Sequence, residues 1–220
     1  MPVPAPDRIA LVLDMDGVII DSSQAKSDIF VAVFASRWPD WQDRVKRYNE
    51  AHFGVPRARK IRQLLAQIAP DEPVEPLLQT LLDDYARRLE HALTAFPLIS
   101  GLAEVMHSRS FDIFVCSAAP MNEIRLILDH HGLFSLVPTI FDGETRKSDA
   151  LTRIAGDYGA RCLFVGDAAA DQQAAATAGV RFILCRSGAE KAIIDADLVI
   201  DDFSDFASIV ENLDPAISPA

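Results

Sequence analysis

Asp14 and Asp16 stand one residue apart in the run Asp14-Met15-Asp16-Gly17-Val18, directly after the apolar stretch Ile9 to Leu13. Carboxylates set beside buried, β-branched chain are costly to desolvate unless something compensates them. A metal ion together with a reacting phosphate would do so. Three later segments carry groups that suit such a site. Ser117 follows Val115-Cys116, Lys147 opens a helix after Gly143-Glu144-Thr145-Arg146, and Asp167 and Asp171 lie in Gly166-Asp167-Ala168-Ala169-Ala170-Asp171. Oxygen-only ligands suit a hard cation such as Mg²⁺, which keeps several waters and pairs with phosphate.

These groups meet only if the segments before them are parallel strands ending at one edge, where open α/β sheets bind ligands. Residues 9–20 read as a strand, its start a near-continuous apolar run of the kind buried in parallel sheets. Strand patterns recur at Ile113 to Cys116, Thr139 to Phe141, Cys162 to Val165, Val180 to Cys185 and Leu198 to Ile200. Helical patterns over 121–131, 148–158 and 171–178 alternate with them. This alternation predicts an α/β fold, a Rossmann-like doubly wound parallel sheet. Between the first strand and the rest, apolar residues recur at helical spacing instead. Pro39, Gly54-Val55-Pro56 and Pro70 to Pro73 divide that stretch into four expected helices, 24–37, 40–53, 57–69 and 75–94. The expected organisation is a catalytic core of residues 1–20 and 96–214, an inserted α-helical cap domain of 21–95, and a flexible tail from 215 to 220.

Bulk properties narrow the partners. The chain has 220 residues, half of them hydrophobic, and a formal net charge of −11. A field of that sign disfavours nucleic acid and anionic membrane, so the expected partner is a small molecule. No apolar run approaches the roughly 18 residues of a membrane span. Residues 1–6 have neither the basic nor the apolar part of a secretory signal and read, like the tail, as disordered. Cys116, Cys162 and Cys185 lack metal-ligand spacing and read as buried free thiols of a cytoplasmic protein. The expected state is monomer or homodimer.

The motifs, their order and the helical insertion resemble the haloacid dehalogenase-like hydrolases, in the helical-cap phosphatase branch that includes phosphoglycolate-phosphatase-like and β-phosphoglucomutase-like members. Asp14-Met15-Asp16-Gly17-Val18 resembles the first motif, Ser117 the second, Lys147 the third, and Gly166-Asp167 with Asp171 the fourth. Phe96-Pro97-Leu98-Ile99-Ser100-Gly101 resembles the return linker. The likeness runs from about residue 9 to 203. Ala168 stands where relatives often carry serine, and Met15 replaces a common phenylalanine.

The resemblance implies hydrolysis of a small phosphomonoester metabolite with Mg²⁺ as cofactor. Asp14 would be the nucleophile, forming an aspartyl-phosphate. Asp16 would protonate the leaving oxygen and later deprotonate water. Asp14, Asp16 through its main-chain oxygen, Asp167 and Asp171 would hold the metal. Gly17, Ser117, Ala118 and Lys147 would contact the phosphoryl group.

Substrate choice belongs to the cap. Arg57, in the loop-to-helix segment His52-Phe53-Gly54-Val55-Pro56-Arg57, is a candidate for a substrate carboxylate or second phosphate, and His52 a further one. Arg57, Arg59, Lys60 and Arg62 read equally as a solvated helix face. Asp21 and Ser22 read as helix caps, His130 and His131 as helix-end residues, and Phe30, Phe34, Trp38 and Trp41 as cap core. Alternatives to the phosphatase are a phosphosugar mutase of the same family, a catalytically quiet family member used for protein contacts and, in another class, a binding or regulatory protein on a response-regulator-like scaffold. The helical insertion and the acid pair disfavour the last. Dehalogenase and phosphonate-cleaving activities are disfavoured by the presence of Asp16.

Overall fold

The structure, a computed structural model, describes residues 8–52, 55–90, 92–108, 110–186 and 196–211. The expected leader, the tail, Phe53 and Gly54 lie outside the described residues. Among the described residues six parallel strands form one sheet: β1 (Ile9–Leu13), β2 (Phe111–Cys116), β3 (Thr139–Phe141), β4 (Cys162–Gly166), β5 (Arg181–Cys185) and β6 (Leu198–Ile200). The sheet order is β3-β2-β1-β4-β5-β6. β1 is central, flanked by β2 and β4 with Leu13 level with Val115 and Val165. All five of its residues are buried.

The chain winds outward through β2 and β3, then returns to place β4 on the other side of β1. That reversal opens a crevice at the carboxyl ends of β1 and β4. Alternation along β1 sends Ile9, Leu11 and Leu13 to one face and Ala10 and Val12 to the other. The first set packs with α5 (Leu102–His107), α6 (Met121–His130) and α9 (Phe206–Glu211). The second packs with α7 (Lys147–Tyr158) and α8 (Ala169–Ala178). The sheet is thus covered on both faces, as doubly wound folds require.

The insertion folds into α1 (Ser23–Ala35), α2 (Gln42–Glu50), α3 (Arg57–Ile68) and α4 (Val74–Glu90). Their apolar stripes include Phe34, Ile61, Leu65, Leu78 and Tyr85, all buried. Phe30 and Phe34 are cap core as expected, with Trp38 and Trp41 partly buried against the same cluster. The two connections to the sheet run side by side: Asp21 N–H donates to Pro97 O at 3.0 Å and Ile99 N–H to Ile19 O at 3.0 Å.

Several boundaries move. The first strand ends at Leu13 rather than 20, because Asp14 to Ile20 fold back on themselves. Ile19 N–H and Ile20 N–H both donate to Met15 O, at 2.9 and 3.1 Å. Residues 39–41 form a separate 3₁₀ turn ahead of α2. The short helices α5 and α9 have too few turns to show a helical period in sequence. Cys116, Cys162 and Cys185 are buried free thiols. No helix among the described residues is long and apolar enough to cross a membrane.

Candidate active site

Asp14 lies one residue past the end of β1, and Asp167 and Asp171 lie past the end of β4 at the start of α8. One oxygen from each of these three carboxylates lies within 4.8 Å of the others. Asp171 is completely enclosed, Asp14 is 5 % exposed and Asp167 is 9 % exposed. Two glycines make this crowding possible. Gly17 has φ +74°, and a Cβ there would fall 2.1 Å from Asp167 Oδ2. A Cβ on Gly166 would fall 2.5 Å from that of Asp171.

Lys147, the first residue of α7, answers part of this negative charge. Its ammonium stands 2.8 Å from Asp14 Oδ2 and 2.5 Å from Asp171 Oδ1. The charge balance stays incomplete. Burial, against the pull of Lys147, raises Asp14 to about 7, with repulsion from Asp171 adding to it. Burial, helped by Asp171 and Asp14, pushes Asp167 well above the ordinary carboxylate range. Lys147 itself is held above its usual value because its two acid partners outweigh its burial. Three buried acids facing one ammonium, with only oxygen donors, fit a hard divalent cation.

Ser117 follows β2. Its Oγ accepts the Ala119 N–H at 3.1 Å, leaving the hydroxyl hydrogen to donate. Ala118 follows it and borders the same cavity. Gly17 departs from expectation in one respect. Its N–H donates to Ile20 O at 2.8 Å, so its visible service is room for Asp167 rather than an open donor. Arg146, next to Lys147 in sequence, lies outside this cluster and borders an adjoining groove with Arg59.

Asp16 points away from the three-acid cluster, toward the cap. It accepts from Ser22 Oγ and lies 2.7 Å from the Lys26 ammonium on α1. Burial would raise its pKa, but Lys26 and Ser22 outweigh burial and hold it below the ordinary value. Ser22 therefore does not cap α1 as expected; its side chain makes no cap hydrogen bond. Asp21 is exposed.

Cap and core enclose a cavity of about 100 Å³. Asp14, Asp16, Ser117 and Asp167 face it from the core; Lys26, Asn49, Arg57, Lys60 and Tyr85 face it from the cap. Arg57 is present as expected, but it is already engaged. Its guanidinium makes two hydrogen bonds to the Glu123 carboxylate, at 2.9 and 3.2 Å, and lies 3.7 Å above the Tyr85 ring. Lys60 also faces inward, so the basic run divides. Arg59 is exposed and Arg62 pairs at the surface with Glu75. His52 does not line the cavity. It stacks on Tyr48 with ring centroids 4.1 Å apart and bonds Tyr48 O at 2.7 Å. His131 joins Phe96 O at 3.1 Å, a tie to the return linker rather than a helix-end compensation alone.

Lys26, Lys60, Asn49 and Glu123 were not legible as site residues. Lys26 did leave a signal: with Phe30, Val33 and Phe34 it shares one face of α1, and a lysine in an apolar stripe needs an anionic partner.

Comparisons with known proteins identify the family. The family model for haloacid dehalogenase-like hydrolases matches residues 11–185. A curated relative, the phosphoglycolate phosphatase of Rhodobacter capsulatus, is 25% identical over 214 residues, covering 91% of this chain and 94% of the relative. Among solved structures, a predicted phosphoglycolate phosphatase from Haemophilus somnus superposes with TM-score 0.72 at 16% identity, covering 94% of this chain and 99% of that one. CbbY from Rhodobacter sphaeroides, crystallised with phosphate, gives TM-score 0.72 at 16% identity over 90% and 96% of the two chains. A Thermotoga maritima protein provisionally identified as a β-phosphoglucomutase gives 0.64 at 15% identity over 92% and 98%. The structural likenesses show a shared fold. With the family model spanning most of the sequence, this chain belongs to the haloacid dehalogenase-like hydrolases and is an enzyme.

Proposed function

We propose that the enzyme is a Mg²⁺-dependent phosphatase that hydrolyses a small phosphomonoester through an aspartyl-phosphate on Asp14. The observation that carries this reading is the position of Asp14. Its carboxylate stands at the sheet's switch point, ion-paired to Lys147, on the wall of a small cavity that the cap lines with cations.

In the first half-reaction an Asp14 oxygen attacks phosphorus, the phosphorus–oxygen bond to the leaving group breaks, and that oxygen takes a proton from Asp16. In the second, water attacks the aspartyl-phosphate, Asp16 takes the water's proton, and phosphate and the free Asp14 carboxylate result. A carboxylate 2.7 Å from an ammonium is in the proton-accepting form suited to the second half. To serve as acid in the first half, it must carry a proton when the leaving oxygen departs. Lys147 and the Ser117 hydroxyl hold the transferring phosphoryl oxygens, donating where charge accumulates. Asp14, Asp167, Asp171 and the Asp16 main-chain oxygen would hold Mg²⁺, which when bound neutralises phosphoryl charge and keeps Asp14 ionised.

The cavity's volume of about 100 Å³ lies well below the roughly 300 Å³ lower bound of sites for drug-sized ligands. It suits a metabolite of a few heavy atoms beyond the phosphate. The curated relative's name supports a carboxylate-bearing phosphate such as phosphoglycolate. We take residues 21–95 as the unit that selects the substrate and the remainder as the catalytic core.

Purified protein is expected to release inorganic phosphate from an aryl phosphate and from phosphoglycolate with Mg²⁺, and to stop in chelator. Phosphate release that needs no bisphosphate activator separates hydrolysis from mutase action. Retention of near-normal rates by Asp14→Asn would sink the reading.

A further inference from the structure

The three cap cations that face the cavity are not equivalent. Lys26 is matched by Asp16 at 2.7 Å. Arg57 is matched by Glu123, and the match is complete: two parallel hydrogen bonds to a carboxylate that is itself buried. Glu123 comes from α6, on the core, and its Oε2 also lies 4.0 Å from the Lys26 ammonium. One core carboxylate therefore serves the cations of two cap helices. Lys60, one turn beyond Arg57 on α3, has no carboxylate within 4 Å among the described residues. Its ammonium donates to Asn49 Oδ1 at 2.6 Å and lies 4.9 Å above the Phe30 ring. Asn49 Nδ2 donates in turn to Ser27 Oγ at 3.0 Å. This polar chain fixes the Lys60 head at the cavity wall without neutralising it. Its burial, with Arg57 nearby, lowers its pKa to about 8 against the pull of Asp16.

We propose that Glu123 determines specificity: by neutralising Arg57 it leaves Lys60, among the described residues, as the one cap cation at the cavity without a carboxylate in contact, so the cavity selects phosphomonoesters whose non-reacting end carries a single negative charge. This rests on the phosphatase reading above. A neutral far end leaves the Lys60 ammonium half-buried without a counter-charge. A second phosphate dianion brings one negative charge too many beside Asp16 and Glu123, and like charges in contact are strongly disfavoured. For Arg57 to bind that dianion it would have to release Glu123, stranding a buried carboxylate. Glu123 thus acts through Arg57 and is a positioning residue, while Lys60 touches the substrate.

The test uses the full chain with Mg²⁺ and three phosphates that differ only at the far end: 2-hydroxyethyl phosphate, phosphoglycolate and ethane-1,2-diol bisphosphate. Wild type is expected to favour phosphoglycolate over either by about tenfold or more in kcat/KM. Glu123→Gln frees Arg57 and is expected to move the bisphosphate-to-phosphoglycolate ratio about tenfold toward the bisphosphate, with Glu123→Asp returning it toward wild type. Lys60→Met is expected to erase the preference for phosphoglycolate over 2-hydroxyethyl phosphate, chiefly in KM. Ratios within one protein cancel any difference in folded fraction. If Glu123→Gln does not fold, the double variant Arg57→Met with Glu123→Gln removes both charges and is expected to keep the single-charge preference. Ratios within about threefold of wild type in Glu123→Gln, a preference surviving Lys60→Met, or its loss in the double variant would each overturn the assignment. A wild type that cleaves none of the three phosphates, nor an aryl phosphate, defeats the phosphatase reading instead.

Discussion

Lys147→Met removes the ammonium that sits 2.8 Å from Asp14 and 2.5 Å from Asp171, while a methionine of similar length keeps the packing. Asp14 and Asp171 are then buried without the ammonium that stood against them. Removing one partner of a buried ion pair costs about 3–5 kcal/mol, and here the cost depends on pH. A carboxyl whose pKa is raised in the fold keeps its proton longer than in the unfolded chain. Its effect is a stability that falls as pH rises from the ordinary value toward the raised one. For Asp14 that window runs from 3.8 to about 7 while Lys147 still opposes the rise. Without Lys147 the window extends upward. At about pH 5.5 both proteins hold neutral Asp14, so the loss is that of the Asp171 contact alone and is expected to be the smaller of the two. At about pH 8 the full 3–5 kcal/mol is expected. At 2–4 °C per kcal/mol for a chain of this size, the Tm gap widens from a few degrees to about 10 °C. Thermal unfolding followed by circular dichroism in chelator, at both pH values, reads this directly. Mg²⁺ at about 100 times its Kd is expected to return about 2.7 kcal/mol. A loss of the same size at both pH values, or none at the higher, would refute the account of the acid cluster.

Three further outcomes are expected. Gly17→Ala places a Cβ where Asp167 Oδ2 stands, at φ +74°. It should cost about 1–2 kcal/mol from the backbone alone and about 100-fold in activity by displacing Asp167, and wild-type kinetics would contradict it. The KM for phosphoglycolate should rise as pH passes about 8, where Lys60 loses its charge, while that for 2-hydroxyethyl phosphate stays level; parallel profiles would count against Lys60. Arg57→Ala leaves Glu123 buried with Lys26 as its one remaining ion-pair partner among the described residues and should destabilise the protein by about 3–5 kcal/mol, more than truncation of the exposed Arg62; urea unfolding of the two variants decides.

The sheet was legible because β1 is apolar at every position and β4 at every position up to its closing glycine, the near-continuous pattern of strands covered on both faces. The acid and lysine positions followed, since each comes directly after such a strand or opens the helix beyond it. The ends of elements were less legible. Around Asp14, Asp16 and Gly17 the chain stays apolar while the backbone turns, and Met15, Val18, Ile19 and Ile20 are all buried. The cap's side of the cavity was hardest to read. Arg57 and Glu123 are 66 residues apart, and Lys60 differs from Arg59 and Arg62 only in which way α3 faces. No local pattern distinguishes a lysine aimed at a cavity from one aimed at solvent. Charge pairing between cap and core is a property of the assembled fold, so Glu123 carried no mark in the sequence.

The central claim is that Asp14 becomes covalently phosphorylated. Acid quenching of Asp16→Asn during turnover of phosphoglycolate, in which the second half-reaction is slowed, followed by peptide mapping in a mass spectrometer, tests it most directly. The phosphoryl group is expected on the peptide bearing Asp14, and absent when Asp14→Asn is added. A phosphoryl group on any other residue, or turnover surviving in the Asp14→Asn protein, would contradict the claim.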